Sequence, residues 1–410
     1  MQYLIIGNSV AAVNCVDGIR SLDREGGITI VSAEGDTAYS RPLISYLLQR
    51  KTTRERMDYR PDSFYRENSC RVYSGTRAEK LNARKRTVTL SGKEELCYDK
   101  LLIAVGSTPR RPEIPGLAEV KRCFCFTTMD DALALEQELT AQSRVLIVGA
   151  GLAGLKCAEG VFERAGSVTV VEQADRLLPG VLDAQAAQIL QKHMEECSVR
   201  FFLSRSVEAL EEETAVLSDG ERLSFDILVL AAGVVPNTGL VRRAGGAAEQ
   251  GILVDTACRT SLPDVWAAGD CTQGIELLSG EPRVLALLPN AAMQGYCAGV
   301  NMAGGTAFCD KMTTMNAAGF FGLHIITAGS CDGEGIVETD GEKNYKKLVV
   351  RDGTLCGYIL MGRVERAGIY TSLIRERTPL SEIDFELIRQ KPQLMAFSRK
   401  VRAEKLGGAV

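Results

Sequence analysis

Gly149-Ala150-Gly151-Leu152-Ala153-Gly154 sets three glycines at the spacing G-x-G-x-x-G, and an acid, Glu172, stands about 20 residues further on. These residues react with nothing themselves. The first glycine permits a tight turn, the second lets the backbone approach a pyrophosphate, and the third lets a helix pack closely on its strand. An acid at that distance accepts hydrogen bonds from a ribose 2′-hydroxyl and repels a 2′-phosphate, so Glu172 favours NADH over NADPH. Arg176 is the one nearby residue that would soften that preference. A weaker copy opens the chain: Gly7-Asn8-Ser9-Val10-Ala11-Ala12, with Glu34 after the next apolar run. Ser9 and Ala12 are small substitutes for glycine, so this copy alone also reads as an ordinary strand–turn–helix. Two such turns point to two dinucleotides, a tightly held flavin and an exchanging nicotinamide.

Each turn needs a strand before it and a helix behind it. Tyr3 to Ile6 is apolar, Ala11 to Arg20 reads as a helix, and ITIVS gives a second strand ending near Ser32. Arg144 to Val148 leads into the second turn, and SVTVVE ends at Glu172. The amides at each helix start, at the positive end of the helix dipole, suit phosphate.

With 410 residues the chain is long enough for two or three domains. A net charge of −4 provides no basic field for nucleic acid or an anionic membrane. No apolar run approaches the ~20 residues needed to span a bilayer, and the strand pattern begins at Tyr3 with no signal peptide ahead of it, so a cytoplasmic protein is expected. The thirteen cysteines include no C-x-x-C and no metal-ligand spacing. They read as small buried hydrophobes, suited to a reducing, anaerobic cytoplasm. His193 and His324 lie far apart and read as structural. No metal site is expected.

Four further stretches follow in order. YDKLLIAVGSTPR is a buried strand ending in Ala104-Val105-Gly106; FDILVLAAGVVPNTGL echoes it with Gly233 and Pro236. RTSLPDVWAAGDCTQ ends a strand at Gly269-Asp270, and LPNAAMQGYCAGVNMAG begins a helix near Asn290. With the two turns, they resemble the FAD-dependent pyridine nucleotide–disulfide oxidoreductase superfamily over roughly residues 1 to 305. Tyr39-Ser40-Arg41-Pro42 is similar to its ferredoxin and rubredoxin reductases and to the nitrite reductase flavin domain.

The resemblance implies an α/β fold with two Rossmann-like, three-layer dinucleotide-binding domains and a smaller α+β C-terminal domain. The expected division is 1–110 with 240–308 for FAD, 111–239 for NAD, and 309–410 as an interface domain. By the same resemblance Asp270 holds the flavin ribityl chain, Glu34 binds the adenosine ribose, and Arg41 and Pro42 lie against the flavin. Gly7, Asn8, Ser9, Val10, Ala11, Ala12, Ala78, Ala104, Val105, Gly106, Gly269, Asn290 and Ala291 complete the FAD site. Gly149, Gly151, Leu152, Ala153, Gly154, Glu172 and Gly233 form the NAD site.

Two departures matter. The disulfide members carry cysteine where this chain has Ala38 to Tyr46, which contains no sulfur. Serine forms no mixed disulfide, so disulfide reduction by that route is excluded; Cys15 is then a packing residue. Many relatives have glutamate where this chain has Lys156. The lysine either modulates the field near nicotinamide and flavin or simply pairs with a nearby acid. No other catalytic side chain is expected, because flavin-mediated hydride transfer rests on proximity and orientation.

MNAAGFFGL, NYKKLVVRDGTLCGYILMG and ERAGIYTSLIRERTPL resemble an anaerobic branch of flavin subunits. A hairpin is expected at Asp352-Gly353 and a helix from Arg366 to Glu376. The basic tail SRKVRAEKLGGAV reads as a solvated helix or a docking segment. The implied activity is an NAD(P)H-dependent FAD oxidoreductase passing electrons between NADH and a protein carrier or an iron–sulfur or tungsten partner subunit (rubredoxin-, ferredoxin- or aldehyde-oxidoreductase-type). The alternatives are a self-contained NADH oxidase and a non-catalytic FAD sensor; homo-oligomerisation stays open.

Overall fold

The computed structural model describes residues 1–407. Its first sheet runs, in spatial order, Val265–Ala267, Lys100–Ile103, Gln2–Ile6, Gly27–Val31 and Cys70–Tyr73, all parallel. Such unbroken apolar runs are what a sheet covered on both faces requires. Successive side chains enter different cores. Tyr3 and Ile5 pack with the helices Val10–Arg20 and Leu288–Met302; Leu4 and Ile6 face the meander Ala78–Asn82, Thr87–Leu90 and Glu95–Cys97. Ile6 lies level with Val31 and Ile103, so the chain leaves the sheet at Gly7, Ser32 and Ala104 along one edge.

The second sheet repeats the plan with Val199–Phe202, Ser167–Val171, Arg144–Val148, Ile227–Leu230 and Cys123–Cys125. Val145 and Ile147 pack with helices Leu152–Val161 and Ala184–Glu196, while Leu146 faces the meander formed by Val207–Glu211, Thr214–Leu217 and Arg222–Ser224. Both units are three-layered and Rossmann-like. Ser107–Pro109 and Val234–Pro236 pair antiparallel and bridge them.

The C-terminal unit is a five-stranded antiparallel sheet in the order Met315–Phe320, Leu323–Gly329, Thr354–Met361, Asn344–Arg351, Ile336–Asp340. Asp352 and Gly353 both have positive φ (+49° and +69°), giving the expected hairpin turn. Ala317 to Leu323 contains a second such turn, with Phe321 at +48° and Gly322 at +84°. An aromatic residue is costly there. Contacts at the tip hold it: the Phe321 ring meets Phe162 edge-on at 5.2 Å, and its N–H donates to Glu159 at 2.8 Å. Helix Ala367–Glu376, one residue shorter than expected, covers one face of the sheet, and the other face joins the core of the second unit. Arg399–Gly407 is helical; residues 408–410 of the basic tail lie outside the described residues. Among the described residues, no helix is long and apolar enough to cross a membrane.

Helices Val10–Arg20 and Leu288–Met302 touch backbone to backbone. A Cβ on Gly295 would lie 2.1 Å from Ala11 O, one on Gly299 2.2 Å from Cys15 O, and one on Gly18 2.4 Å from Tyr296 O. Gly299→Val should therefore cost about 3 kcal/mol, the upper end of overpacking penalties. Urea unfolding followed by flavin and tyrosine signals would measure it. A loss below about 1 kcal/mol would mean that the helices part easily.

Candidate functional site

The first crevice opens where the parallel strands end. Gly7 has φ +114°, and a Cβ there would sit 2.0 Å from Ala104 O, so only glycine fits. Ser9 has ordinary extended backbone and makes no side-chain cap, leaving the first N–H groups of helix Val10–Arg20 without a side-chain partner. Ala11 and Ala12 are buried under the turn, and the Asn8 amide oxygen accepts from the Tyr65 hydroxyl at 2.9 Å. Glu34 follows the second strand. Gly75 N–H donates to its carbonyl, which brings the segment leading to Ala78 beside it.

The Glu34 carboxylate is ion-paired with Arg41 and accepts from the Tyr39 hydroxyl at 2.8 Å. Arg41 also donates to Thr127 O at 3.1 Å, while Pro42 is exposed. The sequence assigned Glu34 and Arg41 to opposite ends of one dinucleotide and did not reveal that they pair.

Across the crevice, Gly269-Asp270 follows strand Val265–Ala267. Gly269 has φ +83° and donates to Gln294 Oε1 at 2.8 Å. Burial raises the Asp270 carboxyl above the usual carboxylate range, opposed by the positive charge of Arg41 and by the Ser107 hydroxyl at 3.5 Å. Ala104 is buried, and Gly106 has φ +60° with open space beside it. The Asn237 side chain donates to Val105 O, and its backbone N–H donates to Gly106 O. Sequence reasoning missed Asn237, which ties the two similar A-x-G segments together.

Helix Leu288–Met302 starts two residues earlier than expected, and no side chain caps its N-terminus. Asn290 is 1% exposed; its amide donates to Thr313 O at 3.0 Å, but Oδ1 has no partner. Ala291 is buried beside it. A buried orphan acceptor at an uncapped helix start suits a ligand carrying an N–H and partial negative charge, as the flavin pyrimidine ring does. The residues fit FAD.

The second crevice is the sharper copy. Gly149 has φ +111° with Ala231 O 2.4 Å from a hypothetical Cβ; Gly154 would clash with Gly149 O at 2.0 Å; Gly151 has nothing within 4 Å. Turn, approach and packing therefore fall to the three glycines in that order. Leu152 and Ala153 open helix Leu152–Val161, which no side chain caps. Glu172 accepts from Ala150 N at 2.7 Å and Ala174 N at 2.8 Å, bracing the turn with lone pairs to spare. Arg176 is paired with Asp175 at 2.8 Å, and Gly233 is exposed with φ +92°.

Lys156 does pair with an acid, Glu159. It also donates to Gly319 O at 3.0 Å and lies 4.8 Å from the Tyr46 ring centroid, so one ammonium touches all three units. His193 holds the same hairpin, its Nε2 lying 3.1 and 3.2 Å from the Phe320 and Phe321 carbonyls. All thirteen cysteines are free, and Cys15 packs against Met302.

Residues 1–295 match the pyridine nucleotide-disulphide oxidoreductase family model, and 315–378 match the rubredoxin NAD+ reductase C-terminal domain. The chain belongs to the pyridine nucleotide-disulphide oxidoreductase family, and it is an FAD- and NAD(H)-dependent enzyme. It is 32% identical over 394 residues, 93% of each chain, to the NADH-dependent phenylglyoxylate dehydrogenase subunit epsilon of Aromatoleum evansii. It is 31% identical over 316 residues, 74% of this chain and 70% of the relative, to an NADH oxidase of Methanocaldococcus jannaschii. The covalent putidaredoxin reductase–putidaredoxin complex has a chain of the same fold, with a TM-score of 0.87 at 21% identity over 100% of this chain and 98% of that one.

A carboxyl whose folded-state pKa lies above its unfolded value of about 3.9 stabilises the fold fully below that value, and the contribution is lost as pH rises through the raised pKa. For Asp270 in FAD-free protein, Asp270→Asn should match the wild type near pH 4 and be the more stable of the two at pH 7. Urea midpoints at the two pH values test this; a variant that loses stability relative to wild type as pH rises would refute it.

Proposed function

We propose that the chain is a reductase component that passes electrons between NADH and a one-electron protein carrier or an iron–sulfur or tungsten partner subunit. The observation that carries this reading is the pair of crevices, each with its own glycine turn, beneath a C-terminal sheet of rubredoxin-reductase type and without sulfur at Ala38 to Tyr46. We divide the chain as 1–110 with 240–308, 111–239 and 309–410. Thirteen free thiols suit a reducing cytoplasm.

Bound FAD supplies the junction between two-electron hydride chemistry and one-electron carriers. The protein's part is to bind and orient. The helix starts at Val10 and Leu152 receive the two pyrophosphates. Glu34 accepts from the adenosine ribose, and Asp270 from the ribityl chain. Arg41, paired with Glu34 and within the field of Asp270, would place a positive charge beside the bound dinucleotide. The uncapped start of helix Leu288–Met302 favours negative charge on the flavin ring by about 0.3–2 kcal/mol, raising a two-electron potential by roughly 6–45 mV. Lys156, neutralised by Glu159, orients the nicotinamide helix against Tyr46 and the C-terminal hairpin.

NADH should reduce the flavin at least tenfold faster than NADPH, because Glu172 faces the 2′ position and Asp175 occupies Arg176. Glu172→Gln keeps the acceptor on Ala150 N and removes the charge, so it should narrow the ratio. Stopped-flow flavin bleaching reads both; a wild type that prefers NADPH would end the assignment.

Partner docking falls to the C-terminal unit. Arg363 and Arg366 are exposed, whereas Arg375 is half-buried in the wall of a groove of about 570 Å³. Charge reversal at Arg363 and Arg366 should slow reduction of an added rubredoxin or ferredoxin and leave NADH-to-flavin transfer intact, because rim charges act on association. Equal slowing of both steps, or of neither, would exclude the surface. The 31% identical NADH oxidase favours a second reading, direct reduction of oxygen. Oxygen uptake with NADH as fast as partner reduction would select it.

A further inference from the structure

The end of the second crevice that carries Glu172 is built from two chain segments. Glu172 N–H donates to Phe202 O at 2.9 Å, Arg205 N–H to Glu172 O at 3.1 Å, and Ser204 N–H to Ala174 O at 2.9 Å. Ser204 makes the turn with φ +55°, a left-handed backbone that serine adopts at some cost. The three bonds lay residues 202–205 along residues 172–174. The Arg205 side chain therefore starts beside the residue assigned to the ribose 2′ position. The sequence displayed one cation near Glu172, which is Arg176; the structure brings in a second from beyond the next strand.

Both cations are held by acids. Arg176 has Asp175. The Arg205 guanidinium lies 5.2 Å from the Phe202 ring centroid and pairs with Asp219 at 2.6 Å and Glu221 at 3.8 Å. Those acids stand in the hairpin turn Ser218-Asp219-Gly220-Glu221, which is pinned beside Ser206. Ser206 N–H donates to Ser218 Oγ at 3.2 Å, and Ser218 N–H donates to Ser206 O at 2.9 Å. Asp219 Oδ1 accepts from Glu221 N–H at 3.1 Å, which leaves Oδ2 for Arg205. The Arg205, Asp219 and Glu221 side chains are 33%, 39% and 46% exposed, and ion pairs that open are weak. A stronger anion can therefore displace the acids. A phosphate monoester carries roughly two negative charges and three strong acceptor oxygens, and a planar guanidinium meets it in bidentate fashion.

We infer that Arg205 is a latent receptor for a ribose 2′-phosphate, and that Asp219 and Glu221 help to select NADH by occupying it. The inference rests on the assignment of the second crevice to the nicotinamide dinucleotide and adds a layer of selection to it. Glu172 acts on a 2′-phosphate directly, by repulsion. Asp219 and Glu221 act through Arg205, as positioning residues. They turn its guanidinium toward the hairpin and cancel the positive field it would lend to the 2′ position. Removing the Glu172 charge alone leaves Arg205 occupied, so the preference narrows without reversing. A 2′-hydroxyl carries no charge and draws little from a freed arginine, so NAD(H) is nearly indifferent to the state of the hairpin.

The test titrates NAD+ and NADP+ into oxidised, FAD-loaded full-length protein by calorimetry, so that no hydride moves during the measurement. Glu172→Gln is the starting variant. Adding Asp219→Asn and Glu221→Gln removes two charges and keeps the acceptor for Glu221 N–H. NADP+ should then bind about tenfold more tightly, the worth of one charge-assisted hydrogen bond. NAD+ should shift by less than about twofold, as for an ordinary surface substitution. A further Arg205→Met should abolish the gain in NADP+ affinity, a reversal that a merely structural role of the hairpin would not produce. The inference is overturned if NADP+ does not tighten, if both nucleotides tighten together, or if the gain survives Arg205→Met. If Glu172→Gln itself changes the affinity of neither nucleotide, the crevice assignment fails and the inference falls with it.

Discussion

Contact between the backbones of helices Val10–Arg20 and Leu288–Met302 is the constraint on which the first crevice depends. It brings segments nearly three hundred residues apart to the same strand ends. Without Gly18, Gly295 and Gly299 the helices would stand further apart. Asp270 and Asn290 would then no longer face the turn at Gly7. The chemistry proposed for this crevice requires little from any one side chain and much from that separation. Charge, dipole and orphaned acceptor are useful only where a dinucleotide can touch all of them together.

Much of this was legible in the sequence because parallel strands buried on both faces must be apolar throughout, and a tight turn after one needs glycine. Gly149, Gly151 and Gly154 display the three roles in order, so the second unit announced itself. The first unit did so less clearly. Ser9 adopts an extended backbone that any residue can take, so nothing forced a glycine there.

What the sequence concealed were contacts between side chains distant along the chain. Glu34 with Arg41, Lys156 with Gly319 O, and Asn237 across the paired A-x-G segments leave no periodic trace. The turn at Phe321-Gly322 was hidden for another reason. Its aromatic residue looks like core, and only the Phe162 ring, the Glu159 carboxylate and His193 together make its left-handed backbone tolerable.

The strand Val265–Ala267, which completes the first sheet, also bears on synthesis. A ribosome delivers every strand of the second sheet, through Leu230, before this strand exists. The inner unit can therefore close while the outer one waits, with Lys100–Ile103 left as an unpaired, apolar border on one side. Folding order is then inverted with respect to the order of the first and second sheets along the chain, and the nascent polypeptide carries an adhesive strand until the late segment emerges. Anything that delays translation between residues 103 and 265 prolongs that exposure.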